Sequence, residues 1–143
     1  MNDQELLNLF TDISRLHISC AEHNLNQLNL RVGQGAVIHT LGIHGEMPQN
    51  KIAKIRKVSP ATISVMIRRM EANGLVTRRN DESDAKVNLI SLTEEGEKAF
   101  EKMQEDNEDR PARIFAGLTR EDKAQAEKIF RTIFDNLENM IQE

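Results

Sequence analysis

The sequence predicts a mainly α-helical chain that carries one small β-hairpin. Apolar side chains recur at helical spacing over most of the length. Two stretches, LVTRR and KVNLISLT, alternate with strand period around a polar NDESD. Helix start and stop residues also stand where the periodicity changes, most clearly at Ser59-Pro60 and at Gly74.

From about Asp3 to Leu28 the apolar positions are Leu6, Leu9, Phe10, Ile13, Leu16, Cys20 and Leu28, a broad helical face. A break near RVGQG precedes a second helix over about 34–44. GEMPQ reads as a turn. A short helix over 49–56 turns Ile52, Ala53 and Ile55 inward. Ser59 then suits an N-cap and Pro60 the first helical position, where the missing N–H costs nothing. Ile63, Met66, Ile67 and Met70 form one apolar stripe, and Gly74 suits the position that ends the helix. The two alternating stretches make a hairpin whose loop is longer than a tight turn needs. Thr93 caps the next helix, with acids in its first turn, and Pro111 breaks or kinks it. Thr119 and Asp122 resemble a capping box for a last helix running to about Gln142. Its face carries Ile129, Phe130, Ile133, Phe134, Leu137, Met140 and Ile141.

Short helix, turn, helix and hairpin together make a winged helix-turn-helix lobe over about 34–93. Terminal helices over about 1–30 and 94–143 frame it, the whole forming one domain. So small a lobe cannot cover both terminal apolar faces, so the expected state is a two-fold homodimer.

The net charge of −4 argues against a nucleic-acid partner until its distribution is seen. Between Gln49 and Ile90 stand nine Lys/Arg against four Asp/Glu, an excess of five positives inside acidic flanks. Phosphates respond to such a local patch. On the helix after Ser59, the side opposite the stripe carries Ala61, Val65, Arg68 and Ala72, with Thr62, Ser64 and Arg69 beside them. Small residues let a backbone approach base edges. Ala61 or Val65 suits a thymine methyl, Thr62 and Ser64 can bond bases or phosphates, and Arg68 can reach guanine or phosphate. The plainer alternative is a hydrated surface with two solvated arginines. Arg78 and Arg79 at the hairpin base and Lys86 on its return add cations suited to backbone or minor groove. Asp84 is either a brace that orients a basic side chain or a turn-forming Asp.

The order of elements, SPATISVMIRRMEANGLVTRR, the D-x-K of Asp84 to Lys86, and NLISLTEEG closing the hairpin resemble the MarR family of bacterial transcription regulators. The resemblance covers nearly the whole chain and is strongest over about 49–96. It implies an obligate dimer built by the terminal helices, with Ser59 to Arg69 as recognition helix. It places Thr62, Ser64, Val65 and Arg68 toward double-stranded DNA, and Arg78, Asp84 and Lys86 on the wing. The family usually has arginine where Lys86 stands, and lysine keeps the charge but loses the planar fork.

The resemblance also implies release from DNA by a small-molecule effector between the dimerisation helices and the DNA lobe, a cleft that His39 and His44 would line. Redox sensing would rest on Cys20, but the peroxide-sensing relatives activate their cysteine with tyrosines and this chain has none. A buried structural cysteine is the default reading. Cys20 and His23, with His17 or His39, offer metal donors. The zinc-sensing relatives also use histidines after the wing, where this chain has none. No metal and no cofactor are expected.

Other classes fare worse. No Ser/His/Asp spacing, phosphate loop or metal-ligand motif suggests an enzyme. No Trp or Tyr, and no Phe in the basic segment, is present to stack single-stranded RNA. A winged-helix module for protein contacts would favour an acidic face. One cysteine, no leader pattern and no membrane-length apolar run read as a cytoplasmic protein away from membranes.

Overall fold

The computed structural model describes residues 1–142. Six helices and three strands follow in the order α1 (Asp3–Gln27), α2 (Val32–His44), β1 (Met47–Pro48), α3 (Gln49–Arg56), α4 (Pro60–Ala72), β2 (Val76–Asn80), β3 (Asn88–Leu92), α5 (Glu94–Ile114) and α6 (Arg120–Gln142). Two compact units result, Met1–Asp106 and Asn107–Glu143.

The first unit holds the apolar core. Val37, Ile38 and Leu41 of α2, Ile52 and Ala53 of α3, and Ile63, Ile67 and Met70 of α4 meet Met47, Val76 and Ile90 from the three strands. The α4 stripe therefore faces inward as its spacing predicts, with Met66 packed at its edge. Ile55 does not follow its neighbours inward and is 41% exposed. In an eight-residue helix, Ile52 and Ala53 alone occupy the buried side.

Helix ends show how local chemistry sets the turns. Ser59 Oγ accepts the Thr62 N–H at 3.1 Å and opens α4. At the other end Leu75 N–H donates to Met70 O and Gly74 N–H to Glu71 O. Gly74 sits at φ 74°, the left-handed conformation that this closing motif requires and that glycine adopts freely. Lys57 at φ 52° does the same after α3 without glycine's freedom, turning the chain toward α4. The Thr119–Asp122 box forms in the second unit. Asp122 Oδ2 accepts the Thr119 hydroxyl at 2.6 Å and the Thr119 N–H at 2.8 Å. These bonds, the hydroxyl one foremost, hold the Asp122 carboxyl below its ordinary range.

The segment expected as a turn, GEMPQ, contributes β1 instead. Met47 pairs with Ile90 and Pro48 with Leu89, both antiparallel, so the hairpin is one part of a three-stranded sheet in the order β1-β3-β2. Proline is tolerated because β1 is an edge strand with one free side. The α2 helix begins at Val32, two residues before the predicted start, because Gln34 Oε1 accepts the Arg31 N–H and closes its first turn.

Pro111 does not end α5, which continues to Ile114. A proline removes one N–H, here the donor to the carbonyl four residues back, and the remaining bonds carry the helix one more turn. That carbonyl belongs to Asn107, the first residue of the second unit. At its start, α5 is stitched to the lobe. Thr93 Oγ1 accepts the Gly96 N–H and donates to Gly74 O, while Thr93 N–H donates to Leu75 O. A Cβ on Gly96 would collide with the Leu75 carbonyl, so only glycine fits this approach.

Neither α1 nor α6 contains a buried residue. Along α1, Leu6, Leu9, Ile13 and Leu16 are exposed; along α6, Ile129, Phe130, Phe134 and Met140 are. Among the described residues no helix is long and apolar enough to cross a membrane.

Candidate nucleic-acid interface

The outer side of α4 is built as its sequence pattern predicts. With Ile63, Ile67 and Met70 held in the core, Ala61, Thr62, Val65, Arg68 and Arg69 are left exposed and Ser64 half-buried. Val65 is 44% exposed between Ala61 and Arg68 on this outer side. Ser59 and Thr62 are committed in part to capping, their hydroxyls 2.8 Å apart. Among the described residues neither Arg68 nor Arg69 makes an ion pair.

Two shallow clefts run beside this helix where α2 begins. One, of about 520 Å³, is lined by Ala61, Thr62, Val65, Met66 and Arg69 of α4, with Arg31, Gly33 and Gln34 opposite. The other, about 490 Å³, shares Arg31, Gln34 and Arg69 and extends to Asn29, Ala72 and Asn73. Arg31 is thus a third cation at the α4 face, after Arg68 and Arg69. Nothing in its local sequence marks it, since it stands outside the basic segment and is brought there only by the packing of α2 on α4.

The wing departs further from expectation. Strands β2 and β3 pair from Val76↔Leu92 to Asn80↔Asn88. Alternation turns Val76 and Ile90 into the core and leaves Thr77, Arg79, Leu89 and Ser91 on the other side. Both arginines at the base are engaged. Arg78 Nε lies 3.4 Å from Glu71 Oε2 near the end of α4, its side chain only 26% exposed. Arg79 makes a forked pair with Glu46, Nε to Oε2 at 3.0 Å and Nη2 to Oε1 at 2.6 Å. The Arg79 hydrogen bonds hold the Glu46 carboxyl below its usual range, and Glu46 raises Arg79 in turn.

The loop beyond folds on itself. Asp81 Oδ1 accepts both the hydroxyl and the N–H of Ser83, at 2.6 and 2.8 Å, and Asp81 N–H donates to Val87 O. Asp84 Oδ1 accepts the Lys86 backbone N–H at 3.0 Å. Asp84 is therefore the turn-former of the two readings. Its carboxylate is used by the backbone, and no ion pair joins it to a basic side chain among the described residues. Lys86 is left exposed, its ammonium free of any carboxylate partner among the described residues.

The remaining candidates lie elsewhere. His39 is exposed on α2, its ring 6.3 Å from that of Phe100 and tilted by 57°. His44 is exposed in the last turn of α2, and neither histidine lines the clefts beside α4. Cys20 is exposed, not buried as the default reading had it, because α1 packs on the lobe only through its C-terminal end at Leu25 and Leu28. His23 is 2.9 Å from Gln27. Among the described residues no group of three or more His, Cys, Asp or Glu side chains converges on one point.

Comparison with known proteins matches this geometry. The model described as MarR family matches residues 30–87, the span from the start of α2 to the end of the wing loop. The organic hydroperoxide resistance transcriptional regulator of Bacillus subtilis (strain 168) is 30% identical over 118 residues, covering 82% of this chain and 77% of that one. The HTH-type transcriptional repressor IacR of Pseudomonas putida is 29% identical over 119 residues, 83% of this chain and 71% of that one. Among solved structures, a mutant of MepR from S. aureus bound to an oligodeoxyribonucleotide superposes with a TM-score of 0.73 at 26% identity, covering 92% of this chain and 97% of that chain.

Proposed function

Since the chain belongs to the MarR family of HTH-type transcriptional regulators, we propose that it is a repressor that binds a pseudo-palindromic operator as a homodimer in the cytoplasm. A small-molecule effector releases it. The observation that carries this reading is the outer face of α4. An amphipathic helix with a full apolar side presents small residues, an exposed Val65 and two arginines that pair with no carboxylate among the described residues, a surface that suits a major groove better than water. The MepR structure, with an oligodeoxyribonucleotide bound to the same fold, supports it. The dimer is supported by the uncovered apolar sides of α1 and α6. Ser59, Ala61, Thr62, Ser64, Val65, Arg68 and Arg69 are assigned to the DNA face and Lys86 to the wing contact. The test is a footprint of the purified protein on fragmented host DNA. Two half-sites about one helical turn apart are expected, and protection of a single half-site defeats the reading.

Exposed Cys20 and the hydroperoxide-resistance relative favour a second reading, a thiol sensor. The effector reading is preferred, because no tyrosine is available to assist a thiolate and a ligand need only favour a dimer whose α4 helices are wrongly spaced. A differential affinity of about 1–3 kcal/mol between the two states is sufficient. Cys20→Ser is expected to bind the footprinted site as the parent does. Gel shifts with micromolar organic hydroperoxide decide the matter: release of the parent but not of Cys20→Ser makes Cys20 the sensor.

A further inference from the structure

The forked pair between Glu46 and Arg79 joins residues 33 positions apart and spans the whole sheet. Glu46 immediately precedes β1. Pro48 of β1 pairs with Leu89 of β3, and Leu89 pairs with Arg79 of β2. The pair therefore joins the residue before one edge strand to the other edge strand, crossing the middle strand diagonally on the outer side of the sheet. Only Asn80↔Asn88 separates its row from the loop that carries Lys86. On the strand's other side Arg78 Nε stands 3.4 Å from Glu71 Oε2, an ion contact without a hydrogen bond. The two arginines of the wing base are thus turned back to the lobe, and Lys86 is left as the hairpin's one cation without a carboxylate among the described residues.

An acid at this place is unexpected if charge alone matters. A carboxylate beside a DNA surface repels phosphates, and its removal should tighten binding. Its geometry offers a different use. Two parallel N–H···O bonds fix the relative orientation of both planar groups, which a single lysine contact does not. We propose that Glu46 is a positioning residue for DNA binding: with Arg79 it clamps the wing to the β1 edge so that Lys86 is aimed at the duplex.

This rests on the DNA-binding reading, and one set of titrations separates the two. Anisotropy is measured on the footprinted duplex with the parent, Glu46→Gln, Lys86→Ala and the double variant. Urea unfolding of each checks the fold. Glu46→Gln is expected to weaken binding roughly twofold to fivefold, the modest range of a half-exposed pair. Lys86→Ala is expected to cost clearly less in the Glu46→Gln background than in the parent, since a misdirected wing no longer brings that ammonium to the duplex. General destabilisation does not produce this coupling. Glu46→Gln that binds as tightly as the parent or tighter overturns the clamp. So does a Lys86→Ala cost that is equal in both backgrounds. A parent that retains no duplex defeats the DNA-binding reading itself.

Discussion

Arg68→Ala is expected to weaken binding to the specific duplex by about 1–3 kcal/mol per half-site while changing non-specific binding much less. The size follows from position. Ile67 and Met70 are fully buried, so the backbone that carries Arg68 is fixed by the core. The side chain points out beside Val65 with no carboxylate to hold it among the described residues. A guanidinium free to make two bonds to a guanine edge discriminates bases, whereas one on a phosphate does not. In a symmetric dimer the substitution is present twice, so the loss on a full operator approaches double that on one half. Lys86→Ala supplies the contrast. It is expected to lower affinity for all duplexes evenly and to flatten the slope of log K against log salt by roughly one for each phosphate left without its lysine. Equal weakening on specific and random duplexes for Arg68→Ala would make it a phosphate contact and overturn this assignment.

Much of this candidate interface can be read from local sequence because its causes are local. The stripe of Ile63, Ile67 and Met70 needs only helical period, Ser59 and Gly74 only cap chemistry, and the basic segment only a count of charges. The rest depends on partners distant in sequence. Arg78 and Arg79 look like free cations until Glu71 and Glu46 are brought beside them. The two-residue strand β1 has no period of its own and exists because β3 offers an edge. Arg31 reaches the α4 face through the packing of one helix on another. Asp84 admits two roles because a side chain that bonds a nearby N–H and one that bonds a cation leave the same letter in a sequence. Cys20 is exposed against expectation for a related reason. An apolar helical face says that something covers it, but not whether that something lies in the same chain.

Phe134→Asp, on such an uncovered face, has the largest expected consequence. It is expected to convert a dimer into monomers and, through that, to abolish operator binding. Phe134 is 60% exposed and lies with Phe130, Phe115 and Leu118 along an apolar groove of the second unit. Apolar surface running from Phe115 and Leu118 onto α6 is what a two-fold partner would cover, and the proposed operator with two half-sites needs such a partner. Covering the exposed three fifths of this aromatic side chain contributes about 1–2 kcal/mol, and two-fold symmetry counts it twice. Loss of both, roughly 2–4 kcal/mol, raises the dimer dissociation constant by about one and a half to three orders of magnitude before the cost of desolvating the new carboxylates is added. A monomer holds one recognition helix and lacks the linkage that lets two weak half-site contacts act as one strong contact. Because α6 contains no buried residue, the substitution leaves the lobe's core untouched, and circular dichroism should show parent-like helicity. Sedimentation equilibrium at micromolar concentration gives the answer. A Phe134→Asp chain that remains dimeric places the interface elsewhere, and a parent that is itself monomeric removes the dimer from the reading of this protein.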